Sequence, residues 1–502
     1  MVKRKREDAA KEPHPVSKPT KVVKAGEKSE TSSVAADPAT LNLQIITGSY
    51  ERVLHGFTAA IPTTVLASTK ENKSSTTPSP VQFVDTFLFE AHSSAIRCLA
   101  LSPLPKADAP EEQRNVILAS GGTDERVNIY SVSAAPIVGS DLYAPIPSLG
   151  GKKFLENPKN RELGALLHHE SSITAVCIPS RSKILAASED NTISVNRIRD
   201  LSVVSSIKAP RPKTQGRPSG DTAPIGGAPS GVNDFAVHPS MKLMLSVGKG
   251  EKCMRLWNLV TGKKAGVLNF GREILQSVKE GKWSTGEGRK IVWNSKGDEF
   301  AVAFEWGVVV FGVDSTPICR VFPNPRSKVH QLKYVALDAS AEDSEELLAV
   351  STEDARVIFY STKKVHKPED EDDSPIPYAE AVAQIGGRAC GVPGRVKDFD
   401  ILSLQDEGKS LKNDFLVTTG NSEGAVRVWY LRGEELMGTT QSKKTKGEKG
   451  SPVPQVGKLL GAYETGYRIT CLKAFVMLAP EEPSALVESE ESEEEESESD
   501  DE

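Results

Sequence analysis

The sequence predicts an all-β chain folded as a seven-bladed β-propeller, closed by N- and C-terminal strands that share one blade. Three observations carry this. A short apolar run, a tight turn with an acid and an alternating strand recur seven times, at Glu51–Phe57, Asp124–Tyr130, Asp190–Asn196, Glu251–Trp257, Glu305–Phe311, Asp354–Tyr360 and Glu423–Trp429. Alternation of apolar residues after a turn marks a strand with one buried face. Six of the seven runs end in an aromatic six positions after the acid; Asn196 is the exception. Finally, the first unit supplies three strands only, and a matching fourth appears at Tyr467–Val476. The acids lie 73, 66, 61, 54, 49 and 69 residues apart, so loop insertions must lengthen a unit that runs to about 40–45 residues in four-stranded propeller blades.

The elements follow in order. The first blade takes Leu41–Thr47, Arg52–Ile61 and a strand near Val84–Phe89, with Tyr467–Val476 as its fourth. The second takes Ile96–Leu101, Val116–Ser120, Val127–Val132 and Leu163–Leu167, and the third Ile173–Ile178, Ile184–Ser188, Thr192–Ile198 and Ser202–Ile207. The fourth takes Val232–Val237, Leu243–Val247, Met254–Leu259 and Lys264–Asn269, and the fifth Lys290–Trp293, Glu299–Phe304, Gly307–Gly312 and Ile318–Phe322. The sixth takes Val329–Val335, Leu347–Ser351, Arg356–Ser361 and Glu380–Ile385, and the seventh Val396–Leu402, Phe415–Thr419, Ala425–Leu431 and Val456–Leu460. Sharing the first blade between both chain ends removes exposed sheet edges, which otherwise pair with other chains. The expected organisation is a basic disordered tail over 1–38, a propeller over 39–478 and an acidic disordered tail over 479–502.

Composition narrows the function classes. No apolar run reaches the roughly 18 residues of a membrane span, and no secretory signal pattern is expected at the start. The six cysteines are scattered without a close pair, so they read as buried reduced thiols of a nuclear or cytosolic protein. Formal net charge is −6, but residues 481–502 alone carry 13 acids and no base. The body between the tails is therefore mildly basic, compatible with docking onto an RNA-containing particle. Motifs for nucleophilic, metal or phosphate-loop chemistry are absent, and no enzyme, cofactor or metal is expected.

The turn acids Glu51, Asp124, Asp190, Glu251, Glu305, Asp354 and Glu423 invite a catalytic reading. The structural one is better, because a turn carboxylate accepts backbone N–H groups and neighbouring polar side chains. Partner contacts are expected in the loops instead. The long insertions 62–80, 133–162, 362–379 and 432–455 all join the third and outermost strands of a blade, and so share one face. They hold Lys152, Lys153, Lys443, Lys444 and Lys446; the opposite face receives 208–231, with Arg211, Lys213 and Arg217, and 271–288. Basic residues without interleaved aromatics suit phosphate contact rather than base readout, and such loops are otherwise merely solvated. Lys3, Arg4, Lys5 and Arg6 form a compact cluster that reads as nuclear import or a nucleic-acid contact. Ser489, Ser492, Ser497 and Ser499 lie among acids, a context favourable for phosphorylation; the tail is a partner-binding polyanion or a solubilising segment.

Several segments resemble a known family. Ile45-Ile-Thr-Gly-Ser-Tyr-Glu51 opens the folded part; Phe89–Ala100 leads to Ala119-Ser-Gly-Gly-Thr-Asp-Glu125; Val237-His-Pro-Ser240 and Arg255-Leu-Trp-Asn-Leu259 follow. Together they resemble the WD40 family of the PAK-interacting protein and its fungal ribosome-assembly counterpart, over about residues 41–478. The resemblance implies a WD40 β-propeller acting as a nucleolar scaffold in large-ribosomal-subunit maturation and rRNA processing, held in pre-ribosomal particles with assembly factors and ribosomal proteins. It also implies a second class, a scaffold that binds and negatively regulates a protein kinase. The acidic tail leaves a third open, a histone-binding protein of chromatin. In WD40 proteins the turn acid often joins a loop histidine, a strand serine or threonine and a tryptophan. Here His92 and His169 with Ser120 and Ser188 are the candidates, Tyr130 and Asn196 replace tryptophan, and blades four to seven lack the histidine.

Overall fold

The computed structural model describes residues 40–67, 81–106, 109–110, 113–136, 155–211, 230–281, 284–338, 344–367, 374–405, 411, 413–437 and 453–479. The structure is mostly β-sheet. Strands β1 (Thr40–Ser49), β2 (Val53–Pro62) and β3 (Gln82–Glu90) open the chain, with a short helix α1 (Thr63–Ala67) after β2. Next come β4 (Ile96–Leu101), β5 (Asn115–Gly122), β6 (Val127–Ser133) and β7 (Arg161–Leu166), then β8 (Ile173–Ser180), β9 (Lys183–Ser188), β10 (Thr192–Arg197) and β11 (Val203–Lys208). A third group is β12 (Val232–Val237), β13 (Leu243–Gly248), β14 (Cys253–Asn258) and β15 (Lys263–Asn269), followed by helix α2 (Arg272–Ser277). Then follow β16 (Lys290–Trp293), β17 (Glu299–Ala303), β18 (Val308–Gly312) and β19 (Pro317–Val321), and β20 (Val329–Ala336), β21 (Glu346–Thr352), β22 (Arg356–His366) and β23 (Tyr378–Gly386). The last set is β24 (Val396–Ser403), β25 (Phe415–Asn421), β26 (Ala425–Leu431), helix α3 (Gly433–Leu436) and β27 (Lys458–Glu464). Strand β28 (Ile469–Val476) does not extend that set; it pairs antiparallel with β1, Ile45 facing Ala474 and Thr47 facing Leu472.

Among the described residues the strands form five four-stranded antiparallel sheets and one sheet of eight. The large sheet departs from the expectation of separate four-stranded units. Its halves, β16–β19 and β20–β23, meet at a single parallel pair, Arg320 with Tyr378. The bridge is the Arg320 N–H on the Pro377 carbonyl at 2.8 Å, and a buried side chain lies beside it. Arg320 is 1% exposed; its guanidinium lies 3.8 Å from the Tyr378 ring centroid, and its Nη1 donates to the Ser277 carbonyl at 3.0 Å. Sinking a guanidinium requires such partners, and one of them, the Tyr378 ring, stands on the facing outer strand.

Apolar cores lie between consecutive four-stranded units, the two halves of the large sheet counting as two. Ile46, Leu54 and Phe475 pack with Ile96 and Val116; Ala119 and Ile129 pack with Ile173 and Ile184; Leu185 and Ile193 pack with Phe235 and Trp257. The series continues through Leu245 with Phe300 and Phe311, Val310 with Leu348 and Ile358, and Phe359 with Phe399 and Trp429. It ends with Leu416 and Val428 against Leu43, Phe57 and Leu472. The innermost strands touch in the same order, β4 on β8, β8 on β12, β12 on β16, β16 on β20, β20 on β24, β24 on β28 and β28 on β4. Glycines permit this approach: a Cβ on Gly121 would lie 2.6 Å from Ile173 of the next sheet, and one on Gly48 would lie 2.7 Å from Ile96. Buried carboxylates staple neighbouring inner strands. Asp234 Oδ2 accepts the Ile291 N–H at 3.1 Å, Asp398 Oδ2 that of Leu472 at 2.9 Å, and Asp400 Oδ2 that of Ala474 at 3.1 Å. The sheets and the pairing of the two chain ends are consistent with WD40-like blades.

Candidate docking face

The tight turns between second and third strands are built by backbone chirality and one carboxylate. The residue after the acid takes positive φ at Arg52, Glu125, Asn191, Ala355 and Gly424. That conformation costs an L-residue roughly 1 kcal/mol or more, so the acid must hold the turn. Asp190 Oδ1 does this by accepting the Thr192 N–H at 2.7 Å. Each turn is also tied to the segment entering an inner strand. Tyr50 N donates to Arg468 O, Thr123 N to Ala95 O, Glu189 N to Ser172 O, Lys249 N to Gly231 O, Glu353 N to Lys328 O and Ser422 N to Arg395 O, at 2.8–3.0 Å. Turns and entering segments therefore form one face.

The acids on this face are satisfied in different ways. Asp124 meets His92 Nδ1 at 2.9 Å, and His92 Nε2 meets Ser120 Oγ at 2.8 Å. Asp190 meets His169 Nδ1 at 3.1 Å, but His169 Nε2 turns to Ser194 Oγ at 2.9 Å rather than to Ser188. Ser188 donates instead to the Ser171 carbonyl at 2.8 Å. Asn196 explains the switch: standing where a tryptophan would, it donates to Ser194 Oγ at 2.9 Å and fixes that hydroxyl on β10. Burial pushes the Asp190 carboxyl up, yet the bonds from His169 and Thr192 outweigh it and hold it at about 2. Glu251 is clasped by Arg255 and Asp354 by Arg356, the latter through Nε at 2.7 Å. Glu305 pairs with Lys328 at 2.8 Å and Arg289 at 3.3 Å. Glu51 accepts the Arg468 N–H at 2.9 Å, and Glu423 lies beside Gly394.

Ion pairs run between neighbouring sheets across the face: Arg97 with Glu189 at 2.9 Å, Lys249 with Glu189 at 3.8 Å, and Arg395 with Glu353 at 3.1 Å. Trp306 lies under Arg326 at 4.2 Å and Lys328 at 5.3 Å. Beside the turn at Glu423 a cavity of about 570 Å³ opens, lined by Arg388, Gly394, Arg395, Ser422, Glu423 and Arg468. Of the sequence-predicted contact residues, Arg211 is exposed. Lys152, Lys153, Lys213, Arg217, Lys443, Lys444 and Lys446 lie outside the described residues, as do Lys3, Arg4, Lys5, Arg6, Ser489, Ser492, Ser497 and Ser499. The arginines of the cavity were not singled out by sequence reasoning, because they come from two distant segments without a local pattern. Among the described residues no group of three or more His, Cys, Asp or Glu side chains is placed to hold a metal ion. No helix among them is long and apolar enough to cross a membrane.

Comparison with known proteins agrees with this geometry. A model of the WD domain, G-beta repeat, matches residues 160–195, which span β7 to β10. Protein MAK11 of Saccharomyces cerevisiae is 28% identical over 419 residues, covering 78% of each chain. The chain is a distant relative of WD40-repeat proteins. The p21-activated protein kinase-interacting protein 1-like of Danio rerio is 22% identical over 434 residues, 86% of this chain and 80% of that one. The p21-activated protein kinase-interacting protein 1 of Homo sapiens is 24% identical over 238 residues, 47% of this chain and 44% of that one.

Proposed function

We propose that the chain is a non-catalytic docking scaffold, a closed seven-bladed WD40 β-propeller over residues 39–478, that holds assembly factors, ribosomal proteins or rRNA of the pre-ribosomal particle during large-subunit maturation. The observation that carries the scaffold is the cyclic order of the apolar cores, ending where Leu416 and Val428 pack on Leu43 and Leu472. A ring fastened by its own ends holds surface loops at fixed mutual positions, which is what a multi-partner platform needs. The turn acids are structural in this reading, and the carboxylates of Glu51, Asp124, Asp190, Glu251, Glu305 and Asp354 are spent on backbone and neighbouring side chains. Ribosomal partners, a nucleolar location and import through Lys3–Arg6 rest on the family resemblance and the distribution of charge. Sedimentation of tagged full-length protein through a gradient tests it. Co-migration with pre-ribosomal RNA is expected, and a signal confined to the top of the gradient overturns it. The names of the Danio rerio and Homo sapiens relatives favour a second reading, a scaffold for a p21-activated kinase. Direct binding of purified kinase to this chain separates the two.

A further inference from the structure

We infer that the cavity between the β23–β24 segment, the β25–β26 turn and the β27–β28 segment binds single-stranded RNA, with phosphates on Arg388, Arg395 and Arg468 and a base on Tyr50. This deepens the docking reading and rests on it for the choice of RNA over DNA. The walls are pre-formed. The β23–β24 segment is folded back by the Val392 N–H on the Gly387 carbonyl at 3.2 Å, and anchored by buried Val392. Asn421 Nδ2 donates to the Pro393 carbonyl at 3.0 Å, and Ser422 N to Arg395 O at 3.0 Å. The cavity, of about 570 Å³, is open to solvent and its lining is mostly charged and polar.

Its charge is unbalanced. Among the described residues neither Arg388 nor Arg468 has a carboxylate at ion-pair distance, and Arg395 is paired to Glu353 yet its side chain stays 48% exposed. The surplus is felt below the rim. Burial lowers the Lys397 ammonium, and Arg395 and Arg468 lower it further. His330 is brought down to about 4 by burial, with Lys397 and then Arg395 adding to it. Guanidinium groups in a converging set bind phosphate in fork geometry.

Tyr50 decides between classes of polyanion. It is 60% exposed, and the Arg468 guanidinium lies 5.5 Å from its ring centroid. An exposed aromatic beside an arginine track is what a base stacks on and what a run of carboxylates does not use.

The test uses full-length protein and fluorescence anisotropy with labelled single-stranded RNA, single-stranded DNA and duplex RNA dodecamers and a poly-glutamate peptide. Single-stranded RNA is expected to bind, and to weaken steeply as salt is raised. Joint replacement Arg395→Ala and Arg468→Ala should weaken it by about tenfold or more, and Tyr50→Ala by about fivefold while Tyr50→Phe keeps it. Arg468→Lys retains the charge but loses the fork, so a partial loss there separates phosphate recognition from a folding defect. Poly-glutamate binding in place of RNA overturns the inference, as does RNA binding unchanged in the double variant. Wild type that co-sediments with the particle yet ignores the dodecamer removes this site and leaves the docking reading standing. Wild type that binds the dodecamer but stays at the top of the gradient does the reverse.

Discussion

The turns at Asp124 and Asp190 are held by a buried histidine from a neighbouring segment, whereas those at Glu251 and Asp354 are held by an arginine on their own third strand. Both pairs occupy the same place in the repeat. Position in the repeat therefore fixes the acid and leaves its donor free. A half-buried carboxylate needs a strong donor, and either an imidazole from outside the hairpin or a guanidinium within it supplies one. The consequence differs. The histidine brings its donor from the segment before strand one, whereas Arg255 closes the hairpin on itself and Arg356 reaches from the hairpin to the Asn324 and Pro325 carbonyls of that segment.

The sharpest way to break this comparison is at Asp354. Arg356 is 6% exposed, and its other bonds go to the Asn324 and Pro325 carbonyls at 2.6 and 2.8 Å. Asp354→Ala leaves that buried cation without a counter-charge, and a loss of about 3 kcal/mol in urea unfolding is expected. Adding Arg356→Met should restore much of it, because removing both partners avoids the stranded charge. A double variant no better than the single one refutes the clasp. On the histidine side, His92→Ala strands Ser120 and one face of Asp124 and should cost about 2 kcal/mol. Chevron analysis of that variant sharpens the contrast if the loss falls on the unfolding rate, since the tie spans two segments.

Acid exposes the next difference. Asp190 is held at about 2, against an ordinary 3.8. A depressed carboxylate contributes stability that is complete above the unfolded value and is lost as pH falls through the folded one. Urea midpoints should therefore drop between about pH 4 and pH 2, and Asp190→Asn should flatten that part of the profile. An unchanged acid limb in Asp190→Asn shows that His169 does not tie this turn electrostatically.

Much of the fold was legible because one face of most strands is buried. β4, β12, β16 and β26 begin and end where the alternation places them. The misses have local causes. Val456 resembles the start of an outer strand, but its N–H bonds the Gln384 carbonyl of the neighbouring sheet at 2.9 Å, so β27 begins two residues later and runs to Glu464. β22 continues through Lys363, Lys364, Val365 and His366, all exposed, where no buried face leaves a periodic trace. Helices α1, α2 and α3 are too short to show a period. The cavity was illegible for another reason: Arg388, Arg395 and Arg468 meet only because β28 crosses to pair with β1. Arg255 and Arg356, four and two residues after their acids, were within reach of a search for acid–arginine spacing.

The smallest effect belongs to the ion pairs that cross the face. Arg97 and Glu189 join neighbouring sheets at 2.9 Å, but their side chains are 40% and 28% exposed. Water screens such a pair, and holding two long side chains in one geometry costs entropy. Lys249, 3.8 Å from the same carboxylate, stays behind when Arg97 is removed. Arg97→Ala is therefore expected to shift stability by less than about 0.5 kcal/mol, and by less still in high salt. A measured loss above about 1 kcal/mol that vanishes in salt would mean that the face, and not only the apolar cores, couples one sheet to the next. In that case occupancy of the arginine cavity, whose Arg395 pairs with Glu353 of the neighbouring sheet at 3.1 Å, would be felt across that boundary too.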